Sequence, residues 1–148
     1  EYTRLVAEAD PHTTVMQFTS ETTNRDEILD KFAKGQLDVL TSMKCLDEGV
    51  DVPRSEMAIF CASTGNPRQF IQRRGRILRT HKDKKFAMIH DLVVVPKIDY
   101  SLSSYKMERN LLNNEMKRVR EFADLSQNSG DTVKELEDIL TYYNLPTF

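Results

Sequence analysis

At 148 residues the chain is long enough for one domain with a real core and leaves little room for a second. Hydrophobic residues at 39% against charged residues at 30%, with no apolar run approaching a membrane span, exclude wholesale disorder and a spanning helix. The net charge of −2 excludes a uniformly basic nucleic-acid coat, yet residues 1–51 hold eleven acids against five bases while residues 66–85 hold eight Lys or Arg and one acid.

In chain order, residues 2–9 suit the tail of a helix that Asp10-Pro11 stops, as if the chain began inside a domain. Residues 15–18 read as a short strand. Thr23 or Asn24 can then cap a helix whose inner face is Ile28, Leu29 and Phe32 and whose stop is Gly35. A strand over 39–41, a turn or short helix over 44–47 and a strand over 57–62 follow. Asn66-Pro67 starts a helix, because Asn caps it, Pro suits its first position and Gln69 stands three residues after the cap. That helix is predicted to run to about Gly75, and a strand over 86–95 follows. From Tyr105 the period becomes 3.6: Leu112, Met116, Val119 and Ala123 form one stripe, and a second helix capped by Asp131 carries Val133, Leu136, Ile139 and Leu140.

Strands alternating with helices, each strand too apolar for a half-exposed edge, predict an α/β fold with a parallel sheet covered on both faces. Residues 1–98 form the sheet domain, and residues 99–148 a helical extension. Cys45 and Cys61 show neither a CxxC spacing nor a nearby histidine pair, which argues against a disulfide framework or zinc module and for a reducing, intracellular setting.

Two stretches carry chemistry. In Gln69-Phe70-Ile71-Gln72-Arg73-Arg74-Gly75-Arg76-Ile77-Leu78-Arg79, the side chains of Gln72, Arg76 and Arg79 fall at i, i+4 and i+7 on one helical face. Gly75 leaves space for a backbone or ligand to approach. Two guanidiniums so placed can grip a polyphosphate through charge-assisted, bidentate hydrogen bonds; from charge alone, a solvated basic face is the stronger alternative. Upstream, residues 39–53 run from a strand into Lys44 and then Glu48-Gly49-Val50-Asp51-Val52-Pro53. Ligands of parallel sheets bind at such carboxyl ends. There Gly49 permits close approach, Asp51 can accept from a ribose hydroxyl, and Thr41, Ser42 and Lys44 can meet phosphates.

Together these stretches resemble the second RecA-like lobe of superfamily 2 helicases and translocases. Arg25 with Leu29, Phe32 and Gly35 resembles the segment before motif V, residues 48–53 resemble motif V, and residues 72–79 resemble motif VI. The resemblance spans residues 14–91, and its Gln-first motif VI is closer to the DNA-repair and restriction-subunit branch than to the DEAD-box branch. It implies ATP hydrolysis between two lobes, with Arg76 and Arg79 as arginine fingers, Gln72 at the phosphates, and Gly49 and Asp51 beside the ribose. Thr19, Ser20, Thr41, Ser42 and Lys44 would face nucleic acid. The implied partners are DNA, with RNA left open, and a first RecA-like lobe in the same longer protein, which would hold most of the Mg²⁺ contacts; no membrane is implied, and the setting is cytoplasmic, or nuclear in a eukaryote. Met43 stands where many relatives have Thr, and no glycine opens a Walker A loop, so this stretch holds no complete ATP site. The alternative is a RecA-shaped nucleic-acid-binding or regulatory module without turnover. Elsewhere, His12, His81 and His90 read as surface or packing residues and Tyr105, Met107 and Met116 as helix packing. Lys117, Arg118 and Arg120 read as a solvated face with nucleic-acid contact as the lesser alternative.

Overall fold

The computed structural model describes residues 1–43, 55–61, 75, 79, 82, 84–98 and 104–147. Its elements are α1 (Tyr2–Ala9), β1 (Val15–Phe18), α2 (Arg25–Ala33), β2 (Val39–Ser42), β3 (Met57–Phe60), β4 (Met88–Asp91), α3 (Tyr105–Ala123) and α4 (Ser129–Tyr142). The expected short helix over 44–47 and most of the helix from Asn66 lie outside the described residues, although Gly75 is helical. The chain divides into two compact units. One comprises Glu1–Ile59 with Arg68–His90, and the other Phe60–Pro67 with Asp91–Phe148.

In the first unit β1 and β2 pair in parallel, with Val15 opposite Val39 and Phe18 opposite Ser42. The amino end of this pair is held by one carboxylate. Asp38 Oδ2 accepts from the Thr14 hydroxyl at 2.6 Å and from the Thr14 N–H at 2.8 Å, and the Asp38 N–H donates back to the Thr14 carbonyl. The Thr14 hydroxyl and then its backbone N–H hold the Asp38 carboxyl below its ordinary pKa. β3 and β4 also pair: the Met88 N–H donates to Glu56 O and the Leu92 N–H to Phe60 O, an equal advance along both strands that makes this ladder parallel.

Phe18 and Ile28 are buried at the centre of this unit, with Met16, Leu29, Phe32, Leu37, Leu40, Ala58, Ala87 and Ile89 packed on them. Full burial of such a side chain contributes about 1.5–3 kcal/mol. The expected inner face of α2 is thus observed. Its stop is observed too: Gly35 has φ 72°, and the Gly35 and Gln36 N–H groups donate to the carbonyls of Phe32 and Lys31, so the left-handed residue closes the last turn. Asn24 takes the N-cap position without a side-chain cap bond. β3 and β4 are shorter than the runs read from sequence, and their burial alternates: Ala58 and Ile89 turn to the core while Met57, Ile59 and Met88 are exposed.

The second unit is built on α3. Leu112, Met116, Val119 and Ala123 are all buried, as their spacing predicts, and Ile139, Leu140 and Tyr143 pack against this stripe from α4. α4 starts at Ser129 after N-cap Asn128, so Asp131 lies inside the first turn rather than at the cap, where its charge favours the helix N-terminus. It ends on Asn144 at φ 49°, with the Asn144 and Leu145 N–H groups donating to Thr141 and Leu140 carbonyls. Arg109 adds a guanidinium to the same end, donating to the Tyr143 and Asn144 carbonyls.

Two readings for this unit are corrected. Arg118 is not on a solvated face: its side chain is 4% exposed, donating to Asp91 at 2.6 Å and Glu115 at 2.8 Å, because it points toward the end of β4. Met107 is 71% exposed and packs in no core, whereas Met116 is fully buried and Tyr105 packs against Tyr142 and Tyr143.

Candidate functional site

The register of β1 with β2 brings two hydroxyl-bearing segments to one edge. Phe18 and Ser42 are partners at the carboxyl ends, so Thr19-Ser20 and Met43 leave the ladder side by side. Thr19 and Ser20 enter a closed turn: the Thr19 N–H donates to the Thr22 hydroxyl oxygen at 2.9 Å, and the Thr22 N–H returns to the Thr19 carbonyl at 3.2 Å. In this turn the Thr22 hydroxyl acts as an acceptor and keeps its own hydrogen for donation. Behind the turn, the Arg25 guanidinium lies over the Phe18 ring at 4.7 Å, joining the start of α2 to the last residue of β1.

Strand alternation separates the two expected β2 hydroxyls. Thr41 is half-buried, and its hydroxyl exchanges a hydrogen bond with the Thr3 hydroxyl and reaches the Met16 carbonyl at 3.4 Å, which ties α1 to the β1–β2 pair. Ser42 points to the opposite face and is exposed, as are Ser20 and Met43. Thr19, Ser20 and Ser42 therefore gather at the carboxyl edge, while the Thr41 hydroxyl is turned to the far face and held by Thr3 and Met16.

Of the basic stretch, Arg79 is described and exposed. Among the described residues, a Cβ added at Gly75 would meet no atom within 4 Å. Lys44, Gly49, Asp51, Gln72 and Arg76 lie outside the described residues. Among the described residues, no group of three or more His, Cys, Asp or Glu could hold a metal ion, and no helix is long and apolar enough to cross a membrane.

Three positioning residues were not recognised as such in the sequence. Asp38 and Thr14 each stand just before a strand, and only the parallel pairing makes them neighbours. Arg118 sat in a basic cluster that looked solvated, with no local sign of its partner Asp91.

The sequence pattern of the helicase conserved C-terminal domain matches residues 3–81, more than half of the chain. The chain belongs to the helicase C-terminal domain family. Within it, the DNA 3'-5' translocase XPB2 of Sulfurisphaera tokodaii is 42% identical over 94 residues, covering 64% of this chain and 21% of that protein. Dicer-like protein 2 of Pyricularia oryzae is 29% identical over 113 residues, 76% of this chain and 8% of its own. The putative ATP-dependent helicase IRC3 of Saccharomyces cerevisiae is 35% identical over 69 residues, 47% of this chain and 10% of its own. The chain therefore spans about a fifth or less of these relatives. The C-terminal part of the Fun30 ATPase domain shares the fold at TM-score 0.53 and 18% identity, covering 80% of this chain and 43% of that one. The C-terminal domain of the DEAD-box protein Dbp5 does so at TM-score 0.50 and 23% identity, covering 91% and 72%. The α/β, RecA-like fold and the superfamily 2 resemblance, on its DNA-repair side, are borne out.

Proposed function

We propose that this helicase C-terminal domain is the second motor lobe of an ATP-dependent DNA helicase or translocase, with residues 1–98 as the lobe and residues 99–148 as its helical extension. The observation that carries this reading is the 42% identity to a DNA 3'-5' translocase over 94 residues. The motor is complete only with a first RecA-like lobe in the same longer protein. ATP would lie between the lobes, and Mg²⁺ held mainly by the first lobe would supply charge neutralisation at the transferring phosphoryl group.

The residues of this chain supply the other half of the chemistry. Water attacks the γ-phosphorus as its bond to the β,γ-bridging oxygen breaks, and negative charge gathers on the leaving diphosphate. Arg76 and Arg79 stabilise that charge as arginine fingers, a contribution of about 10³ to 10⁵ in turnover. Gln72 contacts the phosphates, and Gly49 with Asp51 borders the ribose. Lobe closure on ATP and opening after hydrolysis shift the grip on one DNA strand. Thr19, Ser20, Ser42 and Lys44 donate to that strand's phosphates, while Thr41, its hydroxyl held by Thr3 and Met16, supports the edge from the far face. Such contacts are sequence-tolerant and salt-sensitive.

The test is an ATPase titration of the full-length protein with single-stranded DNA, duplex DNA and RNA. Turnover rising with added DNA is the expected result. Turnover indifferent to every nucleic acid overturns the motor reading and favours a binding or regulatory module.

A further inference from the structure

The charged residues of α3 divide by type. Its arginines turn into the fold: Arg109 donates to the carbonyls ending α4, Arg118 is buried against Asp91 and Glu115, and Arg120 donates to the Pro146 carbonyl at 2.6 Å. The acids of its first four turns are committed as well, with Glu108 accepting from the Tyr143 hydroxyl at 2.6 Å and Glu115 from Arg118. What remains outside is a row at 4, 4 and 3 residue steps: Lys106, Asn110, Asn114 and Lys117, all exposed. These steps keep one face of a helix. Lys117 donates to Asn114 at 3.1 Å, so the row is linked along its own length. Exposed Met107 and Leu111 border it, and Glu121, one turn further on, ends it.

The packing of α4 leaves this face open, and exposed Asp124, seven residues after Lys117, joins Glu121 beyond its end. Leu112, Met116 and Val119, where α4 packs, lie on the opposite side of α3. The exposed acids of α4 (Asp131, Glu135, Glu137 and Asp138) thus stand beyond α3, whose diameter is about 10 Å, close to a Debye length at about 0.1 M salt. Within its own unit the helix is fixed by the Phe122 ring, which stacks on Phe60 at 6.1 Å, and by Arg118, which grips Asp91. A face carrying two ammonium groups and two carboxamides, with Glu108 and Glu115 turned away and Glu121 and Asp124 only beyond its far end, donates hydrogen bonds to anions without selecting a base.

We infer that the Lys106–Asn110–Asn114–Lys117 face of α3 is a second nucleic-acid contact, binding the phosphate backbone of the polynucleotide engaged by the motor. The row is about 16 Å long at 1.5 Å per residue, the length of roughly five base steps. The contact rests on the motor reading.

The experiment compares the full-length protein with Lys106→Gln/Lys117→Gln and Lys106→Glu/Lys117→Glu, measuring affinity for a duplex DNA across salt concentrations together with DNA-stimulated ATPase. Losing two phosphate contacts lowers the log–log salt slope by about two, so the affinity gained between about 200 and 50 mM salt shrinks about tenfold. The reversed pair should bind more weakly than the neutral pair, while turnover at saturating DNA stays within about twofold. An unchanged slope in both variants, with normal DNA stimulation, overturns this contact and leaves the motor reading standing. A wild-type protein that neither binds DNA nor responds to it overturns both.

Discussion

Arg118 Nε donates to Asp91 Oδ2 at 2.6 Å, joining α3 to a strand residue 27 positions earlier. Burial works against the guanidinium's charge, but the hydrogen bonds to Asp91 and then Glu115 outweigh it and raise its pKa above the ordinary value. Removing one partner leaves a buried charge poorly compensated, which is worse than removing the charge itself. Asp91→Ala should destabilise the second unit by about 3 kcal/mol, the low end for a broken buried pair because Glu115 remains. Arg118→Leu should cost less, since the two carboxylates it leaves can reach water. Urea unfolding followed by circular dichroism ranks the two variants, and the reverse order would show that the buried charge is not what matters.

Tyr143 is fully buried, and burial followed by the Glu108 carboxylate raises its pKa from 10.0 to about 12. Between these values the unfolded chain has released the proton that the folded chain still holds, so stability falls as pH rises. The contribution is complete below pH 10 and is lost on the way to pH 12. Denaturation midpoints from pH 9 to about 12 should therefore fall more steeply for the native chain than for Tyr143→Phe. Parallel curves would contradict the assignment.

The Asp38 clamp makes a prediction at the other end of the scale. Its carboxyl lies below the ordinary value of 3.8 because the Thr14 hydroxyl and N–H favour the charged form. That stability is present above pH 3.8 and disappears as pH falls through the folded-state value. Asp38→Ala should lower the melting temperature near pH 7, with the gap to the native chain closing toward pH 2. Thr14→Val should lower it in the same direction. A gap that persists at pH 2 would mean the carboxylate's charge is irrelevant.

In the full-length protein, Arg76→Ala or Arg79→Ala should reduce DNA-stimulated turnover by at least about a hundredfold while leaving ATP affinity nearly unchanged, since a finger acts chiefly in the transition state. Steady-state kinetics with a fluorescent-nucleotide titration separates the two effects. Near-normal turnover in both variants removes the finger assignment.

Most of the secondary structure was legible because its signals are local. Val15–Phe18 was read without error, Gly35 ended α2 as its freedom at positive φ requires, and the stripe from Leu112 to Ala123 followed from a 3.6-residue period. The hydroxyls of the candidate edge were legible as a set, but their directions were not: Thr41 and Ser42 are neighbours in sequence and face opposite sides of the sheet. Asp131 was misread as a cap because Asn128, three residues earlier, competes for the same role.

Read as a string, the residues determined the α/β class, the family motifs and the arginines proposed to meet a triphosphate, because periodicity, capping and motif spacing are short-range properties of the chain. Tertiary structure alone decided which charges became structural. Asp38 meets Thr14 across 24 positions, Arg118 meets Asp91 across 27, and Glu108 meets Tyr143 across 35. No local pattern marks such partners, since a charged side chain reads the same in sequence whether packing later buries it against an opposite charge or leaves it in water.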